Sequence, residues 1–222
     1  LEQETAMTEQ ASRFGRRSLL RWVAGAPLAS GLLLPSAWAG PTPAVDRGPF
    51  YPKQKPDDTD ADLTQVRGHS QHAAGQVIEV SGRVLSMEGK PLAGAIIEVW
   101  QANHVGRYAH PNDTNPAPLD PHFQGYAQLR TDSEGRYTLR TIKPGAYPAT
   151  TDWQRPPHIH FEVRAQSSRA VTQMFFPNES LNEKDRLFLA IPQAERNAVL
   201  ARPLTATGGV LRFAWDIVLP AA

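Results

Sequence analysis

Residues 76–87 read QVIEVSGRVLSM, and the alternation in this stretch decides the fold. Val77, Glu79, Ser81 and Arg83 fall on one face, and Ile78, Val80, Gly82 and Val84 on the other. A period of two is what a strand imposes on its side chains. Glu88-Gly89-Lys90-Pro91 is a turn, and the pattern then recurs. Residues 94–102 (GAIIEVWQA), 125–131, 136–142, 158–165 (HIHFEVRA), 170–176 (AVTQMFF) and 210–218 read as further strands. Asp132-Ser133-Glu134-Gly135 is a hairpin signal, and Gln166-Ser167-Ser168 is a turn. Helices are minor: Asn182 is placed to cap 183–189, and 193–202 suits a second short one. The expectation is an all-β chain, a β-sandwich of about seven to nine strands with long loops and one or two short helices.

Composition agrees with that reading. Hydrophobic residues make up 41% and charged residues 20%, which suits a packed core. The 20 Pro and 16 Gly are spread along the chain, as many short strands joined by turns require. There is no Cys, so no disulfide forms and any metal is held by N and O donors. A net charge of +1 gives no support for a nucleic-acid or acidic-membrane partner.

The first forty residues read as an address. Residues 12–21 are SRFGRRSLLR, a mostly apolar stretch follows from Trp22 to Leu34, and Ala37-Trp38-Ala39 is a small-x-small cleavage pattern. The whole resembles a twin-arginine signal peptide over 1–39, with 1–6 an upstream extension ahead of Met7. A membrane anchor is the alternative, but the stretch is short for a span and is interrupted by Pro27 and Gly31. Periplasmic or secreted localisation follows, with no lasting membrane insertion after cleavage. Losing 1–39 removes four Arg and three Glu, leaving 19 basic and 19 acidic residues. Residues 40–75, rich in Pro, Asp and His, read as an extended arm, and 76–222 as the working β-sandwich domain.

Chemistry concentrates in a few places. In His158-Ile159-His160 the two imidazoles project from one strand face while Ile159 enters the opposite layer. That spacing suits two ligands on one metal, and it equally suits a solvated strand face. Tyr108 follows Gly106-Arg107, and Tyr147 stands in Pro144-Gly145-Ala146-Tyr147-Pro148. A buried Tyr in such a loop more often anchors a sandwich corner than binds metal. A phenol ionises near pKa ~10, so a phenolate ligand at neutral pH calls for a hard, highly charged cation such as ferric iron.

Taken together, Trp100-Gln101-Ala102-Asn103, Gly106-Arg107-Tyr108, Pro144-Gly145-Ala146-Tyr147-Pro148 and Arg155-Pro156-Pro157-His158-Ile159-His160-Phe161 resemble the intradiol ring-cleavage dioxygenases. The protocatechuate 3,4-dioxygenase branch is the most similar. Thr172-Gln173-Met174-Phe175-Phe176, Asn182-Glu183-Lys184-Asp185 and Gly48-Pro49-Phe50-Tyr51-Pro52 fit the same pattern.

The resemblance implies one Fe(III) per active site, with Tyr108 and His158 as equatorial ligands and Tyr147 and His160 as axial ones. It implies a small catechol-type substrate, O2, and ring opening between the two hydroxylated carbons to a cis,cis-muconate-type diacid. Tyr147 would act as a base as substrate binds, and Arg155 would stabilise substrate charge. Gln173 would hydrogen-bond reacting groups or satisfy buried backbone. Gly48, Pro49, Phe50, Tyr51 and Trp100 would line the substrate mouth, from the same or a neighbouring subunit, which leaves a homo-oligomer open.

Two departures stand out: a short connector after Pro148, through Ala149 to Trp153, and no basic residue assignable to a substrate carboxylate. The remaining histidines, His69, His72, His104, His110 and His122, read as exposed or locally hydrogen-bonded. A non-catalytic transthyretin-like sandwich outside the cytoplasm is the alternative reading. A zinc or copper hydrolase using His-x-His is a third.

Overall fold

The computed structural model describes residues 40–221. The leader read over 1–39 lies outside the described residues. Eleven strands run β1 Val77–Leu85, β2 Ile96–Trp100, β3 Tyr126–Arg130, β4 Arg136–Ile142, β5 Tyr147–Thr150, β6 Trp153–Arg155, β7 His158–Ala165, β8 Ser168–Phe175, β9 Arg202–Thr207, β10 Val210–Ala214 and β11 Ile217–Val218. The count exceeds the sequence expectation because β5, β6 and β11 are too short to show periodicity, and β9, exposed along most of its length, has no apolar alternation. The pair β5–β6 is a small hairpin, and 210–218 is split into β10 and β11 at Trp215-Asp216.

Two sheets form the sandwich. In the first, β1 is central: β4 pairs with it antiparallel, and β10 and then β11 pair with it parallel along its other side, with β9 beyond β10. Gly82 stands at the handover, where a Cβ would lie 1.7 Å from the Trp215 carbonyl oxygen. The second sheet has the order β3-β2-β7-β8, all antiparallel.

Ile78, Val80, Leu139 and Phe213 of the first sheet belong to one core with Ile97, Val99, Ile159, Phe161, Val163 and Met174 of the second. Each such aliphatic or aromatic side chain contributes about 1.5–3 kcal/mol on burial.

β7 is buried on both faces from His158 through Val163. Its core face is Ile159, Phe161 and Val163. Its outer face is His158, His160 and Glu162, as the period of two requires. Residues 40–63 cover much of that outer face and stitch the sandwich together. Thr42 N–H donates to Val218 O, Val45 N–H to Val171 O, and Leu63 N–H to Arg140 O. Gln128 N–H on β3 donates to Thr59 O, and Leu63 is fully buried in the main core.

The helical segment differs from expectation at its cap. Arg186–Ala190 forms a single-turn α1, capped by Asp185, whose carboxylate accepts from Phe188 N–H at 3.0 Å. Asn182 lies in a preceding 3₁₀ turn, Ser180–Lys184, and donates instead to Phe176 O. A second 3₁₀ stretch covers Gln193–Val199. Among the described residues no helix is long and apolar enough to cross a membrane.

Candidate metal centre

The outer face of the second sheet carries a row set by strand register. Tyr126 on β3 pairs with Trp100 on β2, Trp100 with His160 on β7, and His160 with Gln173 on β8. Residues directly opposite across antiparallel strands share a face. The Trp100 indole therefore stacks flat on His160, with ring centroids 4.9 Å apart and planes 9° apart. The two imidazoles project together as i and i+2 on one strand, and their Nε2 atoms are 3.1 Å apart. His158 Nδ1 lies 2.7 Å from Pro156 O. A proton on that nitrogen donates to the carbonyl and leaves Nε2 with its lone pair facing inward.

The tyrosines arrive from two loops pressed backbone to backbone. Gly145 N–H donates to Asn103 O, and the Asn103 side chain closes its own loop by accepting from Val105 and Arg107 N–H. Neither loop tolerates a side chain at the contact. A Cβ on Gly106, whose φ is +80°, would lie 2.4 Å from Ala146 O, and one on Gly145 would lie 2.5 Å from His104 O. This close approach sets Tyr108 and Tyr147 edge to face, centroids 5.4 Å apart. Tyr108 Oη reaches His160 Nε2 at 3.2 Å. All four side chains are buried.

Arg155 stands beside them, only 3% exposed. Its Nε donates to Asp185 Oδ1 at 2.9 Å and its Nη2 to Gln173 Oε1 at 2.6 Å. Gln173 in turn donates to Asp46 O at 2.6 Å. Of the two roles open to Gln173, the structure shows it satisfying arm backbone and orienting Arg155. Asp185 closes the 182–185 motif. It is fully buried and also accepts from Trp153 Nε1 at 3.0 Å. A lone Asp ahead of an apolar run was the available signal for it.

Gly48, Pro49, Phe50 and Tyr51 lie over this row. The position of a Cβ on Gly48 is 3.4 Å from His160 Cε1, Phe50 stacks on Tyr108 at 4.5 Å, and Tyr51 sets its edge on Trp100 at 5.0 Å. Pro148, Ala149 and Thr150 are exposed, in keeping with the short connector. Of the loop histidines, His110 is buried and locally hydrogen-bonded, its Nδ1 accepting from Asn112 N–H at 3.1 Å, and its ring meets Phe50 edge to face.

The donor set fits a metal. Burial, and then the Arg155 charge, hold both imidazoles well below the usual histidine range, so they are neutral and have a lone pair to offer a cation. Burial pushes both phenols up, although Arg155 opposes this. They ionise only against a strongly charged cation in the same site. The 3.1 Å nitrogen separation is the edge expected of two neighbouring ligands with bonds of about 2.1 Å. Among the described residues, no three His, Asp or Glu gather to hold a metal, so a metal here depends on the tyrosines.

An all-β sandwich with two buried Tyr and two buried His converging on one face defines a class, and comparison with known proteins gives its family. Residues 47–221 match the family model described as dioxygenase. The chain is 43% identical over 179 residues to the protocatechuate 3,4-dioxygenase beta chain of Burkholderia cepacia, covering 77% of this chain and 76% of that one. It is 33% identical to catechol 1,2-dioxygenase 2 of Acinetobacter lwoffii, covering 70% of this chain and 61% of the relative. Among solved structures, the dioxygenase domain of a dioxygenase–carbohydrate-binding fusion from Streptomyces sp. SirexAA-E matches with a TM-score of 0.63 at 30% identity, covering 82% of this chain and all of that one. 3-Chlorocatechol 1,2-dioxygenase of Rhodococcus opacus 1CP shares the fold, with a TM-score of 0.64 at 24% identity, covering 82% of this chain and 74% of that one. The chain belongs to the intradiol dioxygenase family.

Proposed function

We propose that this chain is a non-haem Fe(III) intradiol dioxygenase that inserts both atoms of O2 into a catechol-type ring, between the hydroxylated carbons, to give a cis,cis-muconate-type diacid. The observation that carries the reading is the convergence of Tyr108, Tyr147, His158 and His160 in one buried cluster. Those four side chains would hold the ion, His158 and His160 as neutral nitrogens and Tyr108 and Tyr147 as phenolates. A ferric ion supplies Lewis acidity that keeps a catechol ionised and its ring open to O2.

The chain's own groups do the rest. Tyr147, at the buried start of the β5–β6 hairpin, takes a catechol proton on Oη as substrate enters. Arg155 is fixed by Asp185 and Gln173 and presents a rigid guanidinium where substrate oxygens gather negative charge. Phe50 and Trp100 supply flat apolar walls against which a ring packs. Gly48 keeps the space above His160 free of a side chain. The substrate is a small catechol. Its ring substituents are decided at the exposed wall 148–150, whose own residues, Pro148, Ala149 and Thr150, carry no charge.

We also infer export through the twin-arginine route from Arg16-Arg17 and Ala37-Trp38-Ala39.

The deciding experiment is the protein's colour and its oxygen uptake. Protein from iron-replete cells is expected to be burgundy from phenolate-to-iron charge transfer. It is expected to consume O2 with catechol, protocatechuate or hydroxyquinol. Tyr147→Phe keeps iron through the other three ligands and loses turnover, whereas His160→Ala loses the iron. Colourless, iron-free wild-type protein, or a Tyr147→Phe variant with unchanged colour and turnover, overturns the reading.

A further inference from the structure

Two glutamates stand on the metal-bearing face of the second sheet and take no part in the site described above. Glu98 is two residues before Trp100 on β2, and Glu162 is two residues after His160 on β7. They are directly paired across the two strands. They therefore occupy the next row of the same face, about 7 Å along the strands. Both are buried, Glu98 at 0% and Glu162 at 1% exposure. Buried carboxylates are rare unless paired, and both are paired: Glu98 chiefly with the arm, Glu162 with Arg47 of the arm and with Arg164 and Arg169 of its own sheet.

Glu98 accepts from Tyr51 Oη at 2.8 Å and from Lys55 Nζ, and also from Tyr126 Oη at 3.0 Å. Glu162 meets Arg47 Nη2 at 3.1 Å, and accepts from Arg169 Nε and Nη2, each at 3.1 Å. Arg164 joins the two carboxylates, 2.8 Å from Glu162 and 3.2 Å from Glu98. The Arg47 guanidinium lies 3.5 Å over the Tyr51 ring, so the two attachments also touch each other.

The order along the arm is what gives these contacts a role. Arg47 is tied to Glu162, and Tyr51 and Lys55 are tied to Glu98. Between these ties lie Gly48, Pro49 and Phe50, the residues that cover His160 and Tyr108. The covering tripeptide carries no charge of its own, and its height above the candidate ligands is set by these ties together with the bonds that Gln173 and Gly48 N–H make to Asp46. We propose that Glu98 and Glu162 are positioning residues, a pair of buried latches that hold the 48–50 segment down as the roof of the substrate site and so determine how wide a ring enters it.

This rests on the proposed function for its substrate readout but not for its structural one. The variants are Glu98→Gln, Glu162→Gln and Arg47→Met. The last leaves Glu162 paired with Arg164 and Arg169, and so guards against misfolding of the Glu variants. Amide exchange over 44–55 is followed in iron-free protein, and KM and kcat are followed in loaded enzyme with catechol and a bulkier 4-substituted catechol. The expectation is exchange at least tenfold faster across 44–55, with the rest of the sandwich unchanged. KM is expected to rise severalfold with kcat within about twofold, and preference to shift toward the bulkier ring. Unchanged exchange in Arg47→Met and in whichever Glu variants fold overturns the latch. So does faster exchange with unchanged KM and ring preference. If wild-type protein turns over no catechol at all, the proposed function fails, and the exchange experiment still judges the latch.

Discussion

Asp185 has no exposed surface, and three donors meet its carboxylate: Trp153 Nε1, Arg155 Nε and Phe188 N–H. One side chain thus ends a helix and aims a guanidinium. Asn is nearly isosteric and caps a helix as well as Asp does, so Asp185→Asn isolates the charge. It leaves Arg155 buried without a counterion, and breaking a buried pair in this way costs about 3–5 kcal/mol. The expected result is a fall of that size in urea unfolding, together with a ring-opening rate reduced at least tenfold at unchanged iron content. Equal unfolding midpoints for variant and wild type would mean that Arg155 is held elsewhere. The pairing of Asp185 with Arg155 is not legible in the sequence, because nothing in their spacing shows that they meet. The same holds for Gln173 and the Asp46 carbonyl, 127 positions apart. By contrast, the facing of His158 and His160 was legible, since a strand fixes it locally.

Among the elements, the two loops that deliver the tyrosines depend on missing side chains. Gly145 has an ordinary backbone conformation, so Gly145→Ala adds only a Cβ, at 2.5–2.6 Å from His104 O and Gly106 N. The loops must separate, and Tyr108 and Tyr147 move apart with them. Overpacking of this kind costs about 1–3 kcal/mol, but the effect on a centre built across the contact is larger than the effect on the fold. Gly145→Ala is expected to lose most of its iron and charge-transfer colour while keeping its β-sheet circular dichroism. Gly89→Ala is the comparison: φ is +74°, nothing lies within 4 Å, and colour is retained. If Gly145→Ala binds iron like wild type, the loop contact does not position the tyrosines. Strands such as 136–142 were legible in full because their alternation is unbroken. β5 and β6 were not, since four and three residues hold too little pattern and their hairpin is set by the loop contact.

At the scale of the whole molecule, the site exists only once the fold is complete. Its four clustered side chains come from the loop after β2, from β5 and from β7, and its cover comes from Gly48–Phe50, more than a hundred residues away from His160 in the chain. The arm is itself held by contacts to β11, β8, β3 and β4, through Thr42, Val45, Thr59 and Leu63. A chain crossing a membrane unfolded would carry none of this. It would have to collect its metal outside, where affinity alone does not favour iron over copper or zinc. A route that carries folded protein removes the difficulty, which is the physical reason to connect Arg16-Arg17 with the metal centre. Replacing Arg16 and Arg17 with Lys is therefore expected to leave the protein in the cytoplasm, coloured and active, with little or none in the periplasmic fraction. Fusing residues 40–222 to a leader of the unfolded-chain route is expected to yield exported protein with a several-fold lower iron content. Equal iron and activity from both routes would break the connection between export and metal loading while leaving the site itself untouched.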